Sequence, residues 1–323
     1  MITIVLIAIA AGSASALMFA SMVSGALISV LLLYLAPLPL MVAALGWGPL
    51  CATIGGIAAA IGLGAMFGLP YCIAFAVAIA LPAWWLGHLA LLGRPVPNAV
   101  ASGNGASPPA PVLEWYPVGR ILVWTAGFAV LTTMAVLLTL GTDAATITGV
   151  IRRGAILMLG PDEAANGEAK RGIDALVTIA PAAAAIVATM TLTLNLWLAA
   201  RITATSGRLQ RPWPDLKATA LPPMILAVLS AAIAFCFVGG LLAILAQTVA
   251  AALVMAYALV GFAVLHTVTL TLKNRALWLS CSYAIVTVFG WPMLAMAALG
   301  LADAAFGLRQ RYLQSRPPPL PAA

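Results

Sequence analysis

No charged side chain occurs before Arg94, and long apolar runs recur through the rest of the chain, separated by short polar segments. A helix needs about 20 apolar residues to cross a hydrocarbon core about 30 Å thick, so the stretch before Arg94 holds about four crossings. Breaker residues divide it at 21–25 (SMVSG), 46–49 (GWGP) and 68–70 (GLP). The pattern predicts helices near 2–21, 25–45, 49–67 and 70–92. The second contains Pro37 and Pro39, which lack backbone donors and are expected to kink or break it. In lipid such a break is tolerated only where protein or water satisfies the freed carbonyls.

Residues 93–116 turn to Pro, Gly, Ser and Asn, a composition that predicts a flexible loop. A fifth apolar segment follows over about 117–140 and a sixth over about 174–200. Between them, 141–173 holds Arg152, Arg153, Asp162, Glu163, Glu168, Lys170 and Arg171, so its charges nearly cancel. There Ile147, Val150, Ile151 and Met158 recur near helical spacing, which predicts an amphipathic helix at the membrane surface. The next connection, through residue 217, carries Arg201, Arg208, Arg211 and Lys217 against Asp215, and the positive-inside rule makes it cytoplasmic. Two crossings earlier the 94–120 loop falls on the same side. Four more put Met1 there as well.

Beyond Lys217 three apolar stretches of unequal length remain, 219–238, 240–272 and 276–302. Three simple crossings would place Arg309, Arg311 and Arg316 on the opposite side. Either the 33-residue middle stretch is two segments broken near Gly261, or the last is split near Gly290, Trp291 and Pro292. The tail 312–323 is proline-rich and predicts a disordered, polyproline-type end.

Composition agrees: 64% of residues are hydrophobic and 7% charged, against roughly a quarter charged in a soluble domain. The fold class is therefore all-α, a polytopic transmembrane helical bundle of about 8–9 segments, six before residue 202 and about three over 218–311. A soluble enzyme, a secreted disulfide scaffold, a coiled coil and a disordered protein are excluded. The net charge of +7 resides in the connections, where it reads as a topology signal and not as a nucleic-acid surface. Cys51, Cys72, Cys236 and Cys281 lie inside apolar runs with no C-x-x-C spacing and read as small hydrophobic fillers. The opening run lacks the basic residues of a signal peptide and reads as an uncleaved first membrane helix.

Polar side chains within spans are functional candidates by default, because placing them in hydrocarbon costs a few kcal/mol. Asn195, Gln247 and His266 are the candidates here, as ligand-binding or interhelical polar groups, with Asp303 at the end of the last span. Trp84, Trp85 and His88 read as part of an interfacial aromatic belt. Gly12, Ala16 and Ala20 fit the small-x-x-x-small spacing of close helix contacts. Arg208, Arg211 and Lys217 are candidate anchors for anionic headgroups or a partner. The sequence holds no Walker-type phosphate loop, no H-E-x-x-H, no G-x-S-x-G and no facing acidic pair within the spans, so the expectation is a non-enzymatic protein without metal or cofactor.

Four landmarks occur in order: PLPL at 37–40 followed by GWGP at 46–49, EWYPVGR at 114–120, VGFAVLH at 260–266 and GLADAAFGLRQR at 300–311. Together they resemble the YybS-like family of bacterial multi-pass proteins, also called domain of unknown function twenty-two thirty-two, over most of the chain outside the loop and the proline tail. That resemblance implies a bacterial inner-membrane protein whose first 202 residues are similar to the six-helix substrate-binding components of energy-coupling-factor transporters and to MreD. It further implies a ligand near the non-cytoplasmic face and a partner contact through Gly12, Ala16 and Ala20. The charge-balanced insertion and the extra C-terminal segments depart from that class and argue against direct vitamin uptake. Two readings follow: a small-molecule binding component energised by membrane or ATPase partners, or a non-enzymatic scaffold of an envelope or division assembly.

Overall fold

The computed structural model describes residues 2–96, 112–160 and 167–314. The expectations for Met1, most of the 93–116 loop, Asp162, Glu163 and the proline tail beyond 314 lie outside those residues.

The chain is a helical bundle. Helix α1 (Ile2–Ala20) ends in a 3-10 turn over Ser21–Ser24 and is followed by α2 (Leu27–Leu35), α3 (Pro37–Trp47) and α4 (Pro49–Phe67). Helix α5 (Leu69–Phe75) passes through a π turn, Ala76–Ala80, into α6 (Leu81–Ala90). The Leu81 amide bonds the Ala76 carbonyl there, a wider turn that admits Pro82, whose missing N–H would interrupt a regular helix. After strands β1 (Gly93–Val96) and β2 (Val112–Trp115) come α7 (Val118–Leu140), α8 (Ala144–Leu159) and the 39-residue α9 (Gly167–Thr205). The last third holds α10 (Met224–Phe235), α11 (Gly240–Val268), α12 (Arg275–Phe289), α13 (Met293–Phe306) and α14 (Leu308–Gln314).

Seven stretches among the described residues are long and apolar enough to span a membrane, and α10, α12 and α13 are shorter apolar helices. Boundaries fall at the predicted breakers. Gly48 (φ 96°) and Gly68 (φ 92°) take backbone angles that side chains disfavour, and each is followed by a proline in the first helical turn. The ends of the segment expected to be a flexible loop instead pair as antiparallel strands, with Arg94 opposite Glu114 and an ion pair of 2.7 Å between them. Helix α10 begins only at Met224, because Pro222 and Pro223 precede it.

Contacts divide the chain into two compact units: 1–125 with 191–214, and 126–190 with 215–323. This division differs from a cut at residue 202, since α7 and α9 each contribute to both units. In the first unit α1 crosses α4 at glycine. A methyl group built on Gly12 would overlap the Gly55 carbonyl oxygen, and one built on Gly55 would overlap the Ala8 carbonyl oxygen. Around this crossing Ala8, Ala43 and Cys51 form a buried cluster. Close backbone approach of this kind is how helices gain packing energy in lipid, where no hydrophobic driving force separates them from solvent.

In the second unit the predicted amphipathic helix is α8. Its apolar stripe packs at two levels: Ile147 against Leu137 and Ile244, and Ala155 against Ile173 and Val177 in the first turns of α9. Arg152 pairs with Asp174 alongside. Met158, assigned from its spacing to the apolar stripe, is exposed, because it falls on the last turn beyond the packed face. Asp143 caps α8, accepting 2.9 Å from the Thr146 amide and 2.6 Å from its hydroxyl.

The C-terminal stretches fold into a long helix followed by a helical hairpin. Helix α11 runs unbroken through Gly261, which is a contact and not a break: a Cβ there would overlap the Met296 carbonyl, and one on Gly300 would overlap that of Tyr257. The break lies at Gly290 (φ 68°), Trp291 and Pro292, between α12 and α13. Arg275, which opens α12, lies beside His266 at the end of α11. Tyr312, in α14 just past α13, donates to the Val268 carbonyl at that same end. The two limbs, 15 and 14 residues long, rise only about 22 Å each and return to where they started.

Adding a methyl group at Gly55 is therefore expected to destabilise the fold by about 2 kcal/mol or more, measured as thermal unfolding in detergent. Gly62→Ala on the same helix, where nothing lies within 4 Å, is expected to be neutral or stabilising by less than about 1 kcal/mol. The two Thr146 bonds hold the Asp143 carboxyl below its ordinary 3.8. Its cap is thus complete above pH about 4 and lost as pH falls through the lowered value. Amide exchange at Thr146 is expected to accelerate only in that acid range, and in Asp143→Asn to show no such step.

Candidate functional site

The break between α2 and α3 is where sequence chemistry and a buried polar group meet. Pro37 and Pro39 cannot donate to the Leu33 and Leu35 carbonyls one turn earlier. The Ala36 amide tightens onto the Leu33 carbonyl at 3.1 Å. The intervening Tyr34 carbonyl accepts 2.7 Å from the Asn195 side-chain nitrogen on α9. That nitrogen also donates to the Thr191 carbonyl of its own helix at 2.8 Å. Both neighbours are pure acceptors, which fixes the amide orientation: nitrogen to the carbonyls, Oδ1 away from them.

Asn195 is 1% exposed, and its Oδ1 is buried without a hydrogen-bond partner among the described residues. A buried amide oxygen in this state can accept from an N–H or O–H group, and leaving it empty costs about 1–3 kcal/mol. Asn195 lies eight residues, about 12 Å of helix, inward from Thr203, which packs beside Gly46 near the end of α3.

That end of the first unit is built from arginine on tryptophan. The Arg208 guanidinium sits 4.7 Å from the Trp47 ring centre, Arg201 5.1 Å from Trp213, and Arg211 6.0 Å from Trp115. Arg211 also donates to the Ala90 carbonyl at 3.2 Å, and burial pulls its pKa below the ordinary guanidinium value. These contacts gather the ends of α3, α6, β2 and α9 with the 206–214 loop. Trp84 stacks on His88 and Trp85 meets Trp124 edge-on, forming an aromatic cluster.

The other candidates are distributed elsewhere. Gln247 lies half-buried about two turns into α11. His266 is 19 residues, roughly 28 Å, farther along the same helix, where its Nε2 is 2.8 Å from the Tyr283 hydroxyl. Those two side chains therefore belong to opposite ends of α11 and share no site. Gly12 is buried in the α1–α4 crossing, with Ala8 and Ser15 completing the buried face of α1, while Ala16 and Ala20 are half-buried. Lys217 sits in a 3-10 turn with its Nζ 3.9 Å from Asp215.

Sequence reasoning named Asp303 but missed its partner. The Arg309 backbone amide and Nε each donate to the Asp303 carboxylate at 2.8 Å, and the side chains are 11% and 7% exposed. A second guanidinium nitrogen of Arg309 reaches the Lys217 carbonyl. The readable signal is Gly307 between them, left-handed at φ 64°, which turns the chain so that residues six apart face each other.

The chain matches no protein-family model, no curated protein and no solved structure. Its long apolar helices mark it as a membrane protein. Removing one member of the buried pair, as in Arg309→Gln, is expected to lower stability by about 3 kcal/mol, because the remaining charge is stranded. The double variant Asp303→Leu with Arg309→Leu is expected to lose less than either single change. A thermal-unfolding double-mutant cycle measures both.

Proposed function

We propose that this chain is the membrane-embedded, small-molecule-binding component of a transport system energised by partner proteins, of the YybS-like type in the bacterial inner membrane. The observation that supports the reading is the proline-broken crossing α2–α3 with the open, buried Oδ1 of Asn195 beside it. Broken helices inside a bundle are where membrane transporters place ligand sites, because backbone and side-chain polar groups left free there can bind solute in place of water. Asn195 then has two roles: its nitrogen seals the break, and its oxygen accepts a hydrogen bond from the ligand. The chain carries no phosphate loop, so energy comes from a partner. The basic Arg201, Arg208 and Arg211 end faces the cytoplasm by the positive-inside rule, which puts the N-terminus there too.

The test is purification of the intact protein in mild detergent, with mass spectrometry of retained metabolites and co-purifying proteins. One stoichiometric metabolite is expected, and adding it back is expected to raise the unfolding temperature of the wild type. Asn195→Leu is expected to lose that ligand-dependent rise altogether, beyond the roughly 1 kcal/mol lost with an interhelical bond. Recovery of envelope or division proteins with no metabolite would instead support a scaffold.

A further inference from the structure

The open end of the α12–α13 hairpin gathers Arg275, His266 and Tyr283 into one hydrogen-bonded chain, in which Arg275 also reaches the His266 carbonyl at 3.5 Å. Arg275 stands in the first turn of α12, and its Nη2 lies 3.4 Å from His266 Nδ1. A guanidinium can only donate, so Nδ1 is the acceptor and the imidazole proton sits on Nε2. Nε2 is 2.8 Å from the Tyr283 oxygen, which therefore accepts, and the Tyr283 hydroxyl proton is left to donate elsewhere. Phe262 stacks on the Tyr283 ring at 5.0 Å and 6°, holding it in this orientation.

The remaining groups extend the pattern. Arg275 Nε is buried and has no partner among the described residues. Asn274, at the N-cap of α12, makes no side-chain cap bond; the Arg275 amide bonds the Leu272 carbonyl at 3.2 Å, and the next amides of the turn receive no cap from Asn274. Lys217, whose carbonyl accepts from Arg309 in the helix that Tyr312 ties to the Val268 carbonyl, brings a second cation to this end of α11. The acids nearby do not fill the need: Asp303 is saturated by Arg309, and Asp215 lies 3.9 Å from Lys217 on the exposed side. No carboxylate among the described residues pairs with Arg275. Arg275 at a helix N-terminus, with the Tyr283 hydroxyl proton and a second cation on the neighbouring turn, suits a ligand that is anionic and accepts only.

We infer that Arg275, Lys217, the Tyr283 hydroxyl and the first turn of α12 form a binding site for a phosphate group, with His266 as the positioning residue between Arg275 and Tyr283. The group is carried by an anionic phospholipid headgroup or by a free phosphate compound. This site lies in the second unit and does not depend on the role proposed for Asn195.

The full-length protein in nanodiscs of phosphatidylcholine with phosphatidylglycerol is examined by native mass spectrometry for retained phosphatidylglycerol. In parallel, inorganic phosphate is titrated into nanodiscs of phosphatidylcholine alone, with the side-chain NMR signals of Arg275 as the readout. Retained phosphatidylglycerol with no response to phosphate assigns the lipid source, and a saturable phosphate response assigns the soluble one. In either case Arg275→Gln with Lys217→Gln is expected to weaken binding roughly tenfold. Tyr283→Phe, which keeps the stacked ring and removes one donor, is expected to weaken it several-fold, whereas Arg275→Lys retains most of it. If the double variant does not fold, Tyr283→Phe and Lys217→Gln carry the test alone. Binding of neither probe, or binding that these substitutions leave unchanged, overturns the assignment.

Discussion

In hydrocarbon every backbone N–H and C=O must find a partner inside the protein, and the irregular places in this chain are arranged around that requirement. Regular helices meet it within themselves. Proline removes a donor inside α9, at Pro181, and at three irregular places: the α2–α3 junction, Pro82 in α6, and the Gly290–Pro292 turn. The three irregular places are met differently. At the first, the Ala36 amide serves the Leu33 carbonyl and Asn195 supplies its side-chain nitrogen to the neighbouring Tyr34 carbonyl. At the second, a π turn widens the helix around Pro82. At the third, the Met293 amide bonds back to the Gly290 carbonyl at 3.0 Å. Only the first brings a buried side chain with an unused acceptor, and the functional reading grows from that difference.

The same reasoning explains the two glycine crossings. With lipid tails as apolar as leucine, helices associate by van der Waals contact, which is greatest when backbones touch. Gly12 with Gly55 supplies this in the first unit and Gly261 with Gly300 in the second. The second crossing holds α13 against α11, while the Asp303–Arg309 pair turns the chain into α14 and ties it to the Lys217 carbonyl. With its two ends fixed in this way, the hairpin brings Arg275 to His266.

Much of this was legible in the sequence because span length and breaker residues are strong local signals. The helix ends at 47, 67 and 90, the amphipathic character of α8 and the proline break follow from residue chemistry within a turn or two. Asn195 also stands out from the sequence, as a ligand-binding or an interhelical group, since few polar groups are tolerated at that depth. What was not legible depends on which helices meet. Gly12 belongs to a buried face with Ala8 and Ser15, not to a stripe with Ala16 and Ala20, because the α4 crossing selects the face and periodicity alone does not. Gly261 could be read as a break or as a contact, and only Met296 and Gly300 opposite it decide. Arg275 drew no notice as a residue in a connection, since its significance comes from His266 and Tyr283 on two different helices.

The central claim is that the Asn195 amide closes the proline break, with nitrogen toward the Tyr34 carbonyl and oxygen left open. Solid-state NMR of the protein in lipid, with 15N in asparagine side chains and 13C in tyrosine carbonyls, measures this contact directly. One carbonyl of the six tyrosines is expected to show strong dipolar dephasing by an asparagine nitrogen, and to lose it in Asn195→Leu. Absence of any dephased tyrosine carbonyl in the wild type, or dephasing that survives the substitution, would contradict the account.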